Sequence, residues 1–288
     1  MTISVPETEK APRLDTFVVQ CMPRLSRAFA AKLIDQGNVL VNDVAVKAGH
    51  KLRPGDRVHI QYDESQLDAI PYIDLPVLYE DENCVVLNKP AGVLTHTQGE
   101  FNTEATVASF LRQHAQGLTG ERAGVVHRLD RATSGVIIGA KNQAALSALQ
   151  KQFAQRKVKK TYLAIVEGHP KEPEAVIDMP IERNPKAPAT FRVGVNGKAA
   201  VTHYRVLETH GHCSLLELKP ETGRTHQLRV HLQKIGHPIV GDPLYGSGTF
   251  GDRLYLHAHS LEITLPGGER KTFSAPLPPE FMELLRAG

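Results

Sequence analysis

The segment HRLDRATSGVIIGA, residues 127–140, sets a polar loop in front of a run of apolar residues. A second short apolar run, GVV at 124–126, precedes the loop. This order predicts a strand, a loop and another strand. One carboxylate, Asp130, lies in the loop between Arg128 and Arg131. Because reactive side chains are commonly presented on loops held by regular elements, the segment predicts a functional site at Asp130.

The sequence around Asp130 is strongly basic. Between Arg122 and Leu163 there are nine Lys or Arg residues and a single acid, which is Asp130 itself. A basic groove attracts polyanions even when the net charge of the whole chain is small, here +3. The alternative for Asp130 is a purely structural role, in which it only neutralises the arginines beside it.

Two further segments, KKTYLAIVEG at 159–168 and ETGRTHQLRVHL at 221–232, add two candidate site residues. Alternation along the first segment predicts a strand that presents Tyr162 on one face. The Tyr162 ring offers a stacking surface and a hydroxyl for proton transfer, unless it is an ordinary core tyrosine. In the second segment, HQLRVHL predicts a strand, and the turn TGRT before it carries Arg224. This arginine can form a bidentate pair with a carboxylate, or contact phosphate.

The N-terminal part of the chain has its own basic character. Residues 11–62 carry eight Lys or Arg and four Asp or Glu, a net charge of +4. Their pattern predicts two short helices followed by short strands, with the second helix between Ser26 and Gly37. Such a helix pair would either bind phosphates or form an ordinary basic helix face. Its basic residues are Arg24, Arg27 and Lys32.

The remainder of the sequence is rich in strand-like segments separated by Gly and Pro turns, with a final helix beginning at Pro278 or Pro279. This pattern predicts an α+β fold with a mixed, largely antiparallel sheet and a small N-terminal domain. The expected organisation is a disordered tail at 1–12, an N-terminal domain at 13–62, a linker at 63–75 and a large domain at 76–288.

Several classes of function are disfavoured by the sequence. The N-terminus lacks a secretion signal, and no segment approaches the roughly 20 apolar residues of a membrane span. The three cysteines lie far apart, without metal-ligand spacing. His226 and His231 are five residues apart on an expected strand, so they would point to opposite faces and not share a metal.

A hydrolase site built from His127, Asp130 and Ser134 is also disfavoured. The three residues crowd a single loop, and the chain has no G-x-S-x-G motif around a nucleophilic serine.

The stretches RLDTFVV at 13–19 and SRAFAAKLIDQGNVLVNDVAVKAGHKLRPGDRVHI at 26–60 resemble the S4 RNA-binding domain. The segments around Asp130, Tyr162 and Arg224, together with GHPIVGDPLYG at 236–246, resemble the RluA/RluD family of pseudouridine synthases. The second resemblance extends from residue 76 to about residue 285. It implies an S4 domain that binds structured RNA and a catalytic domain of the pseudouridine synthase fold.

The resemblance also implies roles for individual residues. Asp130 matches the catalytic aspartate, Tyr162 the active-site tyrosine, and Arg224 the arginine that pairs with the aspartate. Arg128 matches the arginine that enters the RNA stack when the target uridine leaves it. Lys89, Thr133 and Gln227 either line the pocket or are structural polar residues, and Lys89 and Arg131 are expected to contact RNA.

The implied reaction breaks the bond from uracil N1 to the ribose, turns the base and rejoins it through C5. It needs no metal and no other cofactor. The carboxylate of Asp130 acts either as a nucleophile on the sugar or as a base that removes a sugar proton, and both routes stay open.

The expected substrate is structured RNA, in the first place large-subunit (23S) ribosomal RNA, with tRNA as an alternative. GKAAVTHYRVLE at 197–208 resembles the RluD-like branch, which acts on large-subunit ribosomal RNA. A catalytically silent RNA-binding factor in ribosome assembly is the competing interpretation, and the complete set of Asp130, Tyr162 and Arg224 argues against it. We expect a cytoplasmic monomer with no membrane partner and no small-molecule cofactor.

Overall fold

The computed structural model describes residues 1–7, 12–23, 25, 27–62, 73–96, 104–115, 117–118, 122, 124–248 and 252–287. They fall into two compact units. The first lies within Met1–Tyr72 and Thr97–Ala105, and the second within Ile73–His96 and Thr106–Gly288. No described helix is both long enough and apolar enough to cross a membrane.

The first unit packs two helices on a four-stranded antiparallel sheet of order β1-β4-β2-β3. Its elements are β1 (Thr2–Ser4), α1 (Leu14–Cys21), α2 (Arg27–Asp35), β2 (Val39–Val41), β3 (Val44–Ala45) and β4 (Arg57–Ile60). The expected helices and paired strands are present. Asn42 and Asp43 form the turn between β2 and β3 with φ of 50° and 66°, the left-handed conformations that a tight hairpin turn requires.

The expectation of a disordered tail is wrong for its first residues. β1 pairs with β4, and the N-terminal ammonium group of Met1 donates to the carbonyl oxygen of Ile60 at 2.6 Å. Val5 is buried in the core of the unit. Pairing with β4 satisfies the backbone of β1, which is why so short a segment is ordered.

The second unit is built on a long mixed sheet of order β5-β6-β7-β14-β8-β13-β12-β9, with β15 also paired to β14. The pairing of β7 with β14 is parallel and the other pairings along this path are antiparallel. Its strands are β5 (Val77–Glu80), β6 (Cys84–Lys89), β7 (Ser134–Ala140), β8 (Lys159–Glu167), β9 (Glu174–Asp178), β12 (Val201–His210), β13 (Cys213–Pro220), β14 (Leu256–Thr264) and β15 (Arg270–Ser274). A separate hairpin joins β10 (Ile181–Arg183) and β11 (Phe191–Val193).

Four helices among its described residues complete this unit: α3 (Val107–His114), α4 (Gln143–Ala154), α5 (Gln227–Lys234) and α6 (Pro279–Ala287). The side chain of Asn142 caps α4 by accepting from the amide of Ala145 at 2.9 Å. α6 begins at Pro279, one of the two starting points expected from the sequence, and its residues Phe281 and Leu285 are buried. Leu75, inside the expected linker, is also buried and belongs to this unit.

The prediction of a strand at HQLRVHL is wrong, because the segment forms α5. Leu228, Val230 and Leu232 alternate with polar residues, which imitates the period of a strand. In the structure every residue from Gln227 to Leu232 is buried. A helix buried on all sides has no amphipathic stripe, so its sequence lacks the helical period that prediction relies on.

β7 and β14 approach each other closely at Gly135. Gly135 has φ of +112°, and a Cβ atom placed on it would lie 2.2 Å from the carbonyl oxygen of Ala258. Only glycine fits this position, because any side chain would clash with the backbone of the neighbouring strand. The contact fixes the end of the Asp130 loop against the middle of the sheet.

We therefore expect Gly135→Ala to lower the free energy of unfolding by at least about 2 kcal/mol, through backbone strain and the clash with Ala258. Urea denaturation followed by circular dichroism measures the change. Gly267→Ala is the matched control, because no atom lies within 4 Å of its added Cβ. Equal stability of the two variants would contradict the close approach of β7 and β14.

Candidate active site

A cleft in the second unit brings together all three residues that the sequence assigns to catalysis. Asp130 enters it from the loop before β7, Tyr162 from β8, and Arg224 from the loop between β13 and α5. β14 lies between β7 and β8 in the sheet and contributes Leu256 to the wall. Thr133 and Gln227 also line the cleft.

The Asp130 loop is held by hydrogen bonds to its backbone. The hydroxyl of buried Thr95 donates to the carbonyl oxygen of Leu129 at 2.8 Å and accepts from the amide of Leu129 at 3.1 Å. The amide of Thr133 donates to the carbonyl oxygen of Asp130 at 3.1 Å. These bonds replace the strand pairing that the loop lacks, so the carboxylate is carried on a fixed backbone.

The expectation that Lys89 contacts RNA is wrong, because its side chain is fully buried. The ammonium group donates to the carbonyl oxygens of Pro90, Val93 and Arg131 at 2.9, 2.9 and 3.2 Å. Burial lowers the pKa of Lys89 to about 7, although the nearby charge of Asp130 opposes this shift. Lys89 therefore ties the loop after β6 to the Asp130 loop from inside the protein.

The predicted pairing of Arg224 with Asp130 is wrong, because the arginine that faces Asp130 is Arg229. Nη1 of Arg229 lies 3.7 Å from Oδ2 of Asp130. Arg224 instead donates from Nε to the carbonyl oxygen of Ala199 at 3.1 Å. Arg224 was assigned as the partner of Asp130 because α5 was predicted to be a strand. In the helix that forms, Arg229 lies in the first turn, and its side chain points back toward the cleft.

Arg229 is held by a buried ion pair with Asp242. Its Nε and Nη2 atoms donate to the two carboxylate oxygens of Asp242, each at 2.7 Å, and the side chains are 5% and 0% exposed. Asp242 also accepts from the amides of Leu244 and Tyr245 at 2.9 and 3.1 Å. The bidentate geometry leaves Nη1 of Arg229 directed at Asp130.

His226 also lies near Asp130, with its Nε2 atom 4.0 Å from the same Oδ2 atom that faces Arg229. Nδ1 of His226 is 2.8 Å from the hydroxyl of Tyr245, which accepts from the amide of Phe191 at 2.8 Å. The hydroxyl proton of Tyr245 is thus free to be donated to Nδ1, which places the proton of a neutral imidazole on Nε2, facing Asp130. Burial lowers the pKa of His226 and favours this neutral form, although the charge of Asp130 opposes the shift.

A buried network of polar side chains fixes the loop that carries Arg224 and His226. Gln227 accepts at Oε1 from the hydroxyl of Thr222 at 2.7 Å and from the amide of Arg224 at 3.0 Å. Its Nε2 donates to the carbonyl oxygen of Val201 and to Oγ1 of Thr202. Each polar group of Gln227 is satisfied, so the loop is held rigidly at the mouth of the cleft.

His231 is part of the same network and is not a metal ligand. Its Nδ1 lies 3.0 Å from the hydroxyl of Thr202, and its Nε2 is 2.9 Å from the carbonyl oxygen of Met179. No group of three His, Cys, Asp or Glu residues within the described part of the chain is arranged to hold a metal ion.

The hydrolase arrangement is not formed. Ser134 lies 2.9 Å from Nδ1 of His257 and accepts from Arg253, and the amide of Ile138 donates to Nε2 of His127 at 3.1 Å. His127 therefore has no contact that could activate Ser134.

Tyr162 is partly buried, and its ring lines the cleft. Burial, and then the negative charge of Asp130, raise the pKa of its hydroxyl well above the ordinary value. The hydroxyl therefore stays protonated at neutral pH. This favours the ring as a stacking surface over the hydroxyl as a proton acceptor.

The remaining candidates for RNA binding differ in their surroundings. Arg128 and Arg131 are exposed, and Arg128 lines the cleft. In the first unit, Arg27 donates to buried Asp15 at 2.9 Å with its side chain still 60% exposed, and Lys32 is exposed. Arg24 lies outside the described residues.

The cleft combines the carboxylate of Asp130 with four cationic side chains, those of Arg128, Lys160, Arg224 and Arg229, and this charge favours an anionic ligand. Comparison with known proteins identifies the class. Residues 83–234 match the RNA pseudouridylate synthase family, and residues 12–58 match the S4 domain.

Similar proteins carry the same description. An uncharacterized RNA pseudouridine synthase of Synechocystis sp. is 40% identical over 288 residues, covering 95% of this chain and 88% of that protein. Ribosomal large subunit pseudouridine synthase D of Nitrosomonas europaea is 40% identical over 304 residues, covering 99% and 87%. The solved structure of human RNA pseudouridylate synthase domain containing 1 is 31% identical with a TM-score of 0.60, covering 76% and 98%.

The chain therefore belongs to the RNA pseudouridine synthase family and has an N-terminal S4 domain. The family, the enzyme class and the α+β fold with a largely antiparallel sheet, all expected from the sequence, are confirmed.

The ion pair predicts a large difference between the two arginines. We expect Arg229→Met to lower the free energy of unfolding by about 3–5 kcal/mol, because Asp242 would be left charged and buried without its partner. Arg224→Met should cost about 1 kcal/mol or less, the value of one partly exposed hydrogen bond. Urea denaturation at neutral pH measures both. Similar losses for the two variants would contradict the assignment of Arg229 to the buried pair.

The environment of half-buried His127 predicts an acid dependence of stability. Burial, and then the charge of Lys160, lower its pKa from 6.5 to about 3. Below pH 6.5 the unfolded chain binds a proton at this site and the folded protein does not. Stability is therefore lost as the pH falls from 6.5 toward 3, by about 1.4 kcal/mol per pH unit.

We expect His127→Gln, whose amide oxygen can still accept from Ile138, to reduce the slope of stability against pH by that amount. Urea denaturation between pH 6.5 and 4.5 gives the slopes. The exposed position His212→Gln serves as control. A slope equal to that of the wild type in the His127 variant would rule out this origin of the acid sensitivity.

Proposed function

We propose that this enzyme isomerises specific uridines to pseudouridine in large-subunit ribosomal RNA, with Asp130 as the catalytic nucleophile or base. The observation that carries the assignment of Asp130 is its position in the cleft. Its carboxylate is 21% exposed and faces both Arg229 and His226. The sequence similarity to a ribosomal large subunit pseudouridine synthase D supports the choice of RNA.

The chemistry explains why a single carboxylate suffices. The reaction breaks the bond from N1 to C1′, forms a bond from C5 to C1′, moves a proton from C5 to solvent and supplies one to N1. Because water is not a reactant, no second carboxylate is needed to activate it, in contrast to glycoside hydrolysis. Asp130 either attacks the sugar or removes a sugar proton.

The neighbours of Asp130 have complementary tasks in this proposal. Arg229 holds the carboxylate and stabilises its charge through an arginine that is itself fixed by Asp242. Neutral His226 presents an N–H group toward the same carboxylate oxygen. Tyr162 supplies a flat ring on which the released uracil stacks while it turns.

The target nucleotide has to leave the RNA stack before its ribose can reach Asp130. Extrusion of a nucleotide costs a few kcal/mol, which contacts in the cleft and in the vacated stack must offset. In this proposal Arg128, which is exposed and lies two residues before Asp130, fills the gap. Arg131, Arg27, Lys32 and Arg24 are proposed to bind RNA phosphates. We further propose that the protein acts as a monomer in the cytoplasm, where its RNA is made.

The test is a map of pseudouridines in large-subunit ribosomal RNA and in tRNA from cells that lack the gene. We expect wild type and the exposed control variant Asp74→Asn to restore one or more sites in the ribosomal RNA. Asp130→Asn should restore none, because its amide is neither a nucleophile nor a base.

Purified Asp130→Asn should still bind a transcript of the ribosomal RNA with the affinity of wild type, since the groove is unchanged. Restoration by Asp130→Asn would contradict the role of Asp130. If sites are restored only in tRNA, the substrate is tRNA and not ribosomal RNA. If the maps with and without the gene are identical, the protein is a catalytically silent RNA-binding factor.

A further inference from the structure

A second cavity adjoins the cleft, which we name the flanking pocket. It shares Arg128, Lys160, Tyr162 and Arg224 with the cleft and adds Phe153 and Arg156 as walls of its own. All of these residues belong to the second unit. The cleft and the flanking pocket are therefore two compartments of one groove, separated by the side chains that they share.

The charge of the flanking pocket is strongly positive. Four of its lining residues are Lys or Arg, and its acid, Glu221, is engaged 2.7 Å from Nε2 of His203. Lys160 forms no ion pair within the described part of the chain, and its hydrogen bond to the carbonyl oxygen of Thr222 is long, at 3.4 Å. Burial, and then the charge of Arg156, lower the pKa of Lys160 to about 8. An anion placed here would relieve that unfavourable environment.

The apolar part of the pocket is an aromatic wall. Phe153, at the end of α4, is partly exposed and lines the pocket. Its ring is fixed by stacking on His127, with the ring centres 4.5 Å apart and the planes inclined by 17°. Aromatic rings held beside cationic side chains are the usual elements of a binding site for single-stranded RNA, because every base has a face that can stack.

Arg156 has an unusual backbone conformation for an arginine. It follows the C-terminus of α4 with φ of 56°, a conformation in which glycine is the common residue. Glycine would relieve strain here, so an arginine at this position carries a cost in stability that its side chain can offset by binding an anion.

We propose that the flanking pocket binds the nucleotide next to the target uridine in the RNA strand, an inference that rests on the proposed function. The base of this nucleotide packs against Phe153. Its phosphate lies between Arg156, Lys160 and Arg224. Occupation of both compartments would hold the target nucleotide and its neighbour at the same time and keep the target nucleotide extruded.

The experiment measures binding of a fluorescein-labelled ten-nucleotide oligouridylate by fluorescence anisotropy, with the full chain, over a series of KCl concentrations. Each phosphate contact to a single strand contributes about 0.7 to the slope of log affinity against log salt. We expect Arg156→Gly and Lys160→Met each to weaken binding and to reduce the slope by about this amount.

Phe153→Leu tests the aromatic wall, because leucine keeps the apolar packing of α4 and removes the stacking surface. It should weaken binding roughly fivefold or more without changing the salt slope. The control is Lys171→Gln, which removes an exposed cation that lines neither compartment and should change neither quantity. Arg156→Gly should fold at least as stably as wild type, so its loss of affinity cannot be attributed to unfolding.

Wild-type slope and affinity in Arg156→Gly, Lys160→Met and Phe153→Leu would overturn the inference. Pseudouridine formation by the same proteins separates this result from a failure of the proposed function. If wild type forms pseudouridine and the variants bind oligouridylate normally, only the flanking pocket is refuted. If wild type forms none while the variants bind as expected, the pocket is an RNA site of a protein whose reaction has been misassigned.

Discussion

The bidentate pair between Arg229 and Asp242 is the interaction on which the rest of the site depends. Its two hydrogen bonds of 2.7 Å fix a guanidinium group at the start of α5 so that a third nitrogen faces Asp130. A buried ion pair offers little net stability, because desolvation of the charges offsets their attraction. The ion pair contributes geometry here, because it directs the guanidinium group of Arg229 toward the carboxylate of Asp130.

The other buried polar groups serve the same purpose for the backbone. Lys89 donates hydrogen bonds to three carbonyl oxygens beside the Asp130 loop. Gln227 forms hydrogen bonds with four partners and so supports the loop that carries Arg224. Both loops leave the sheet without regular strand pairing, so side chains supply the hydrogen bonds that pairing would provide. Lys89, which was expected to contact RNA, is in this way an internal support of the site, as is Gln227.

The family could be predicted because the segments around Asp130, Tyr162 and Arg224 resemble it, and the fold class because strand-like segments dominate the sequence. Asp130 could be singled out because it is the one acid in a basic segment. The structure of the segment after Arg224 could not be predicted. Its apolar residues alternate as in a strand, and the helix that forms is buried all round, so the correct period is absent from the sequence. The partner of Asp130 was therefore misassigned by five positions. The burial of Lys89 could not be predicted from the sequence either, because the three carbonyl groups that compensate for it come together only in the folded chain.

The measurement that tests this account most directly is the single-turnover rate of pseudouridine formation at saturating enzyme for Arg229→Lys and Arg224→Lys, with folding verified by circular dichroism. Lysine keeps the charge and loses the planar fork, so it separates bidentate geometry from charge. If Arg229 positions the carboxylate, Arg229→Lys lowers the limiting rate at least roughly tenfold, and Arg224→Lys leaves it at the wild-type value. A normal limiting rate in Arg229→Lys together with a large loss in Arg224→Lys would contradict the account.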